Sequence, residues 1–142
     1  MRRRTVHFSA MAVFAVLLAV GSSQAQEPSA KVAQDSAEAW LSLVDSQNYA
    51  ASWHEAARLF RNAVAQEKWQ ATAQAVRTPL GPITSRTVKS ATYATTLLGA
   101  PDGKYVVFQF NATFERKSAA IETVTTIREN DGTWHVGGYF IN

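Results

Sequence analysis

The stretch KYVVFQFNATFE, residues 104–115, decides the fold, because its apolar side chains recur at every second position. A period of two predicts an antiparallel β-strand with one face in the core. The positions assigned to the core are Val106, Phe108, Phe110, Ala112 and Phe114. The alternate positions, which point away from the core, are Tyr105, Val107, Gln109, Asn111 and Thr113.

Segments with a similar content of Thr, Val, Tyr and Phe lie on both sides of this strand in the sequence. An earlier strand, or two short strands around a bend, is predicted over residues 83–97. Later strands are predicted over residues 121–129 and 133–141, with Asn, Asp and Gly forming the turn between them. The second half of the chain therefore predicts a sheet of about four antiparallel strands.

The segment before Pro82 has a helical pattern instead. Between Trp53 and Val64, for example, apolar residues recur at spacings of four, three and four, and Pro79 and Gly81 mark the end of the helical region. The three predicted helices cover residues 30–46, 49–65 and 67–76. We expect an α+β fold with three N-terminal helices packed on one face of a curved, cone-like antiparallel sheet.

The first 25 residues have the three parts of a secretory signal peptide. Three arginines, residues 2–4, precede an apolar run over residues 8–20, and the small residues Ser23 and Ala25 fit a signal peptidase site. The run is shorter than the roughly 20 residues of a membrane-spanning helix. We expect cleavage near Ala25, a short leader over residues 26–29, and one α+β domain over residues 30–142 in the periplasm or outside the cell. An uncleaved interfacial anchor is the alternative.

Charge and composition exclude several classes of partner and cofactor. The three arginines at residues 2–4 account for the whole formal net charge of +3, so the processed chain is formally neutral and without a basic patch for nucleic acid. The chain has no cysteine, and His54 and His135 are the histidines that remain after processing. We therefore expect no nucleic-acid partner, no cofactor, no metal site and no stable membrane insertion of the processed protein.

Two arginines, Arg77 and Arg86, flank the Pro-Gly segment between the predicted helices and strands. A rigid loop there would aim two guanidinium groups at a carboxylate or phosphate ligand. The alternative is that each pairs with a carboxylate such as Asp45 or Glu122 and ties a helix to the sheet. Of the two arginines, we expect Arg77 to lie nearer to solvent and to a ligand.

A second candidate surface is the polar face of the strand at residues 104–115. Its side chains Tyr105, Gln109 and Asn111 lie on a face that carries less Lys and Glu than a solvated strand face normally does. A polar-lined pocket, a dimer interface and plain solvent exposure all suit this composition.

Four stretches carry a resemblance to a known family: WLSLVD at residues 40–45, RTPLG at 77–81, GAPDGKYVV at 99–107 and DGTW at 131–134. They resemble a bacterial family catalogued as domain of unknown function 4019, across nearly all of the processed chain. The resemblance implies a secreted or envelope protein and supplies no catalytic residues. The order of helices and strands is also similar to the cone-shaped superfold of nuclear transport factor two and ketosteroid isomerase, which hosts many functions.

No nucleophile with a base is visible in the sequence, and neither Glu115 nor Glu122 is expected beside a tyrosine as an isomerase would require. The chain is therefore expected to be a non-enzymatic secreted or periplasmic module that binds an unknown small molecule or an envelope protein. The alternatives are a cone-fold hydrolase or isomerase with a cryptic carboxylate site, and a structural homodimer whose sheets meet face to face.

Overall fold

The computed structural model describes residues 28–142. The predicted signal peptide and the first two residues of the predicted leader lie outside the described residues. The other two leader residues are helical, because the first helix begins at Pro28.

Within residues 28–142, four helices precede four strands, which confirms the α+β fold and corrects the expected number of helices from three to four. The helices are α1, Pro28–Asp45; α2, Tyr49–Glu55; α3, Arg58–Ala63; and α4, Gln66–Arg77, which is followed by a 3-10 turn at Thr78–Leu80. Helix α1 forms because Ala33, Ala37, Trp40, Leu41 and Val44 recur on one face, and all five are buried.

The additional helix arises because the predicted helix over residues 49–65 is broken at Ala56 and Ala57. Both residues are buried and have extended backbones, with ψ angles of 160° and 148°. The N–H of Ala57 donates to the carbonyl of Val136 over 2.7 Å instead of continuing the helix. The sequence has no Gly or Pro at this point. The break is caused instead by the hydrogen bond to the last strand.

The sheet is an antiparallel meander in the order β1-β2-β3-β4. Its strands are β1, Ile83–Ala94; β2, Tyr105–Phe114; β3, Lys117–Arg128; and β4, Trp134–Ile141. Strand β3 begins four residues before its predicted start, since only Glu115 and Arg116 separate it from β2. Strand β1 ends three residues before its predicted end.

The inner face of the sheet packs on the helices. The main core cluster joins Phe108, Phe110, Val124 and Val136 of the sheet to Trp40 of α1, along with other buried residues. A smaller cluster of Ala112, Phe114 and Ala120 lies under the 3-10 turn. The inward positions of β2 are the five that the sequence predicted.

The opposite side of the sheet is called the outer face here. Register places sixteen side chains outward on it: Ala94, Tyr105 and His135 lie in the row at one end, and the other thirteen form the rest of the face. These thirteen are Ser85, Thr87, Ser90, Thr92, Val107, Gln109, Asn111, Thr113, Ile121, Thr123, Thr125, Ile127 and Phe140. Lys89 is the extra residue of a β-bulge in the edge strand β1.

Candidate functional site

A charged cluster lies where the ends of α1 and α4 meet the inner face of the sheet. Helix α1 contributes its last residue, α4 contributes its last residue, and β1, β3 and β4 contribute one side chain each. Its members, called the charged cluster from here on, are Asp45, Arg77, Arg86, Glu122 and Tyr139. These residues tie both helices to three of the four strands.

Arg86 is the centre of this cluster. Its Nε donates to Glu122 Oε1 over 2.6 Å, and its Nη2 donates to Glu122 Oε2 over 3.3 Å. Its Nη1 and Nη2 also donate to the two carboxylate oxygens of Asp45, over 2.8 and 2.9 Å. Burial would lower the pKa of Arg86, but its hydrogen bonds to Asp45 and Glu122 outweigh burial and raise that pKa above its ordinary value.

Arg77 makes fewer hydrogen bonds than Arg86. Its Nη2 donates to Asp45 Oδ1 over 2.8 Å, and its guanidinium carbon lies 4.8 Å from the centre of the Phe114 ring. The residue is only 6% exposed, and its Nε and Nη1 are buried without a hydrogen-bond acceptor among the described residues. Arg77 thus retains two unused donors on a buried positive charge, which is an unusual arrangement in a native protein.

The two carboxylates of the cluster are in different environments. Burial would raise the pKa of Asp45, but the hydrogen bonds from Arg86 and Arg77 outweigh it and hold this pKa below its ordinary value. Glu122 is fully buried and accepts hydrogen bonds from Arg86 and from the hydroxyl of Tyr139. Burial and the nearby charge of Glu122 raise the pKa of Tyr139 above its ordinary value.

The expectation that Glu122 does not lie beside a tyrosine was therefore wrong. Tyr139 reaches Glu122 because Val124, two residues further along β3, pairs with Tyr139 across the β3–β4 ladder. The arrangement nevertheless differs from that of a general base, because Arg86 and Tyr139 occupy both oxygens of the carboxylate. Glu122 also lines neither of the two depressions described below.

A depression of about 220 Å³ lies beside the charged cluster and is called the Arg77 depression. Its lining residues come from the end of α1, the start of α2, the end of α4 and the two turns that follow. They are Val44, Asp45, Gln47, Tyr49, Arg77, Thr78, Gly81, Pro82 and Arg116. It therefore combines two arginines with one carboxylate, and its net charge is positive.

Arg116 holds one wall of the Arg77 depression. Its Nε donates to the carbonyl of Pro79 over 3.0 Å, and its Nη2 donates to the carbonyl of Thr78 over 3.1 Å. Gly81 has a φ of +74°, and a Cβ on it would lie 3.3 Å from the Arg116 guanidinium carbon. Glycine at this position permits both the turn and the close approach of Arg116.

The five side chains proposed from the sequence do not form one site. Arg77 and Arg86 meet at Asp45 and form ion pairs with carboxylates, as the alternative to a ligand site expected. Arg86 ties α1 to the sheet, whereas the Arg77–Asp45 pair joins α4 to α1. Tyr105, Gln109 and Asn111 project from the other side of the sheet. The prediction that Arg77 lies nearer to solvent than Arg86 was wrong, because the Arg77 side chain is 6% exposed and that of Arg86 is 15% exposed.

The three β2 side chains differ from one another in environment. Tyr105 is buried, and its hydroxyl donates to the carbonyl of Pro101. Gln109 is half-buried and accepts a hydrogen bond from Ser90 over 3.3 Å. Asn111 is exposed and lines a second depression of about 290 Å³ between the β2–β3 hairpin and the C-terminus.

Sequence reasoning missed Tyr139 and Arg116 as members of this region. One signal was available for Glu122, because it occupies an inward position of β3 between the buried residues Ala120 and Val124. A carboxylate at such a position requires a buried partner. The identity of the missed partner, Tyr139, depended on the register between β3 and β4, including its shift between Thr125 and Thr126.

Two further properties concern the described part of the chain. Among the helices of residues 28–142, none is long and apolar enough to cross a membrane. Within the same residues, no group of three or more His, Asp or Glu side chains is arranged to hold a metal ion.

Comparison with known proteins identifies one family. A family model described as "Protein of unknown function (DUF4019)" matches residues 36–139, from within α1 to Tyr139 in β4. This match confirms the family resemblance and spans all five residues of the charged cluster. No curated protein matches the chain.

Proposed function

We propose that this chain, which belongs to the DUF4019 family of proteins of unknown function, is an exported, non-enzymatic module that binds a small ligand through an anionic group in the Arg77 depression. The ligand class is a carboxylate or a phosphate. Export is supported by the signal-peptide pattern of residues 1–25.

The observation that carries the proposal is the buried guanidinium of Arg77 with two donors lacking an acceptor. An unsatisfied buried donor costs about 1–3 kcal/mol, and more when it is charged. An anion that accepts from Arg77 would recover part of this cost on binding. The ring of Phe114 compensates only partly, because it offers its π face and no lone pair.

The rest of the depression suits an anion of small size. Arg116 is exposed at its rim and would make the first contact with an arriving ligand. Since Nε and Nη1 of Arg77 are covered, the ligand reaches them after a shift of the turn Thr78–Leu80, whose carbonyls now hold Arg116. A volume of about 220 Å³ limits the ligand, or the inserted part of it, to a few non-hydrogen atoms.

The enzymatic alternative has one observation in its favour, the buried Glu122 against Tyr139. Arg86 opposes it, since the guanidinium stabilises the ionised carboxylate and, together with the Tyr139 hydroxyl, uses three of its about four lone-pair sites. The binding module is therefore the better supported function.

Thermal unfolding with inorganic phosphate and with succinate as probes tests the binding proposal. We expect the melting temperature of the parent protein to rise with at least one probe, because ligand at 100 times its dissociation constant stabilises a protein by about 2.7 kcal/mol. Arg116→Gln should weaken this binding about tenfold or more and leave the unliganded melting temperature within a few degrees.

The matched control is Arg58→Gln, which removes an exposed arginine on α3 outside the depression. It should bind the probe as the parent does, which separates a site effect from a general loss of positive charge. The proposal fails if neither probe shifts the parent, or if Arg116→Gln and the parent respond equally.

A further inference from the structure

We infer that the outer face of the sheet is the contact surface of a homodimer, in which a second copy of this chain stacks its own outer face on the first. The core clusters take their strand residues from the inner face, and the helices reach the outer face at one end, where His135 Nδ1 lies 3.0 Å from the carbonyl oxygen of Glu55 in α2. The surface lies on the opposite side of the sheet from the charged cluster and is independent of the proposed ligand site.

The first observation is the absence of full charges among the thirteen side chains that form the outer face apart from Ala94, Tyr105 and His135 at its end. They are Ser, Thr, Asn, Gln, Val, Ile and Phe. The nearest ionisable groups are Tyr105, His135 and the His135 partner Glu129 at one end, and Lys89 at the bulge in β1. A solvated sheet face is expected to include some Lys and Glu side chains among its Thr and Ser. Depletion of charge is instead the compositional signature of the core of a protein interface.

The second observation is the pairing of Thr123 in β3 with Phe140 in the edge strand β4. Phe140 is 54% exposed and is among the large apolar side chains that the described fold leaves in solvent. Thr123 is only 7% exposed, and its hydroxyl has no hydrogen-bond partner among the described residues. The exposed Phe140 ring is therefore a suitable anchor for a partner surface, whereas the buried Thr123 hydroxyl is not accessible to one.

The lack of charge also indicates which partner would occupy the face. A two-fold axis brings identical patches together, so a charged patch would repel its own copy whereas this one would not. A basic or acidic partner would find no opposite charge to pair with. Ser, Thr, Asn and Gln carry both donors and acceptors, and can therefore bond to their own copies.

The size of the face is sufficient for such a contact. Four strands about 4.8 Å apart and about ten residues long at about 3.3 Å per residue span roughly 600 Å². Two copies would bury about 1,200 Å² in total, which exceeds the about 1,000 Å² that a specific interface requires.

Light scattering coupled to size exclusion tests the inference on protein purified after expression of the full 142-residue chain. We expect the parent to have the mass of a dimer at micromolar concentration. Phe140→Lys and, separately, Asn111→Lys place one charge per copy on the outer face and should each raise the dimer dissociation constant about 100-fold or more. Both positions are exposed, so neither substitution should prevent folding.

The matched control is Leu98→Lys, which replaces a fully exposed apolar residue in the β1–β2 loop. It should remain a dimer. A monomeric parent would overturn the inference and would leave the outer face available to a different protein. A dimer that persists in both outer-face variants would also overturn it, because the contact between copies would then lie elsewhere.

Discussion

Arg86 in β1 binds Glu122 in β3 across the intervening strand β2, with Nε and Oε1 separated by 2.6 Å. The guanidinium crosses β2 beside Ala112, which pairs with Arg86 on one side and with Ala120 on the other. Two adjacent alanines leave space above the sheet for the charged pair. A large side chain at Ala112 would fill this space, so the small residue and the ion pair depend on each other.

Arg86→Met should lower the free energy of unfolding by about 3–5 kcal/mol. The substitution leaves Glu122 as a fully buried carboxylate with only the Tyr139 hydroxyl as a partner, which is the costly way to break a buried pair. Denaturant titration of the parent and the variant measures the difference. The control is Lys31→Met in an exposed pair with Asp35, which should cost less than about 1 kcal/mol. Equal losses in the two variants would contradict a structural role for Arg86.

Arg77→Met should cost much less, about 1 kcal/mol or below. Asp45 keeps both of its bonds from Arg86, and the variant removes two buried donors that have no acceptor. The methionine side chain also retains contact with the ring of Phe114. The same denaturant titration applies. A loss as large as that of Arg86→Met would show that Arg77 is an indispensable tie and would remove the support for a ligand site there.

Tyr139→Phe should make stability less sensitive to alkaline pH. The folded state raises the pKa of Tyr139 above its ordinary value of 10.0, so above pH 10 the unfolded chain loses this proton while the folded protein keeps it. Stability is therefore fully present below pH 10 and falls by up to about 1.4 kcal/mol per pH unit above it. Unfolding free energies at pH 9, 10 and 11 should decline more steeply for the parent than for Tyr139→Phe.

The control for this pH series is Tyr93→Phe, which removes a hydroxyl outside the charged cluster. It should decline as the parent does. If Tyr139→Phe also follows the parent, the tyrosine hydroxyl does not retain its proton through burial against Glu122.

Expression of the full chain in a bacterium should yield an exported protein that begins at Gln26 or within a few residues of it. The three arginines at residues 2–4, the short apolar run and the small residues before Gln26 are the basis of this prediction. Mass spectrometry of the periplasmic and membrane fractions checks it. An intact Met1 in the membrane fraction would support the uncleaved anchor instead.

The sequence by itself determined the order of helices and strands, the end of the helical region and the inward positions of β2. These features depend on local periodicity, because a residue's face in a helix or strand follows from its near neighbours. It also offered Asp45 and Glu122 as examples of partners for the two arginines, because a buried charge requires an opposite charge, while it left a ligand-binding role open as the alternative.

Only the tertiary structure decided the break at Ala56 and Ala57, the contact of Tyr139 with Glu122 and the separation of the arginines from the outer face. The N–H of Ala57 bonds to Val136, 79 residues later in the chain, and Arg86 reaches Glu122 across 36 residues. Such contacts depend on strand register and on where each helix rests on the sheet. Local pattern carries no information about either, because both are set by the packing of the whole chain at once.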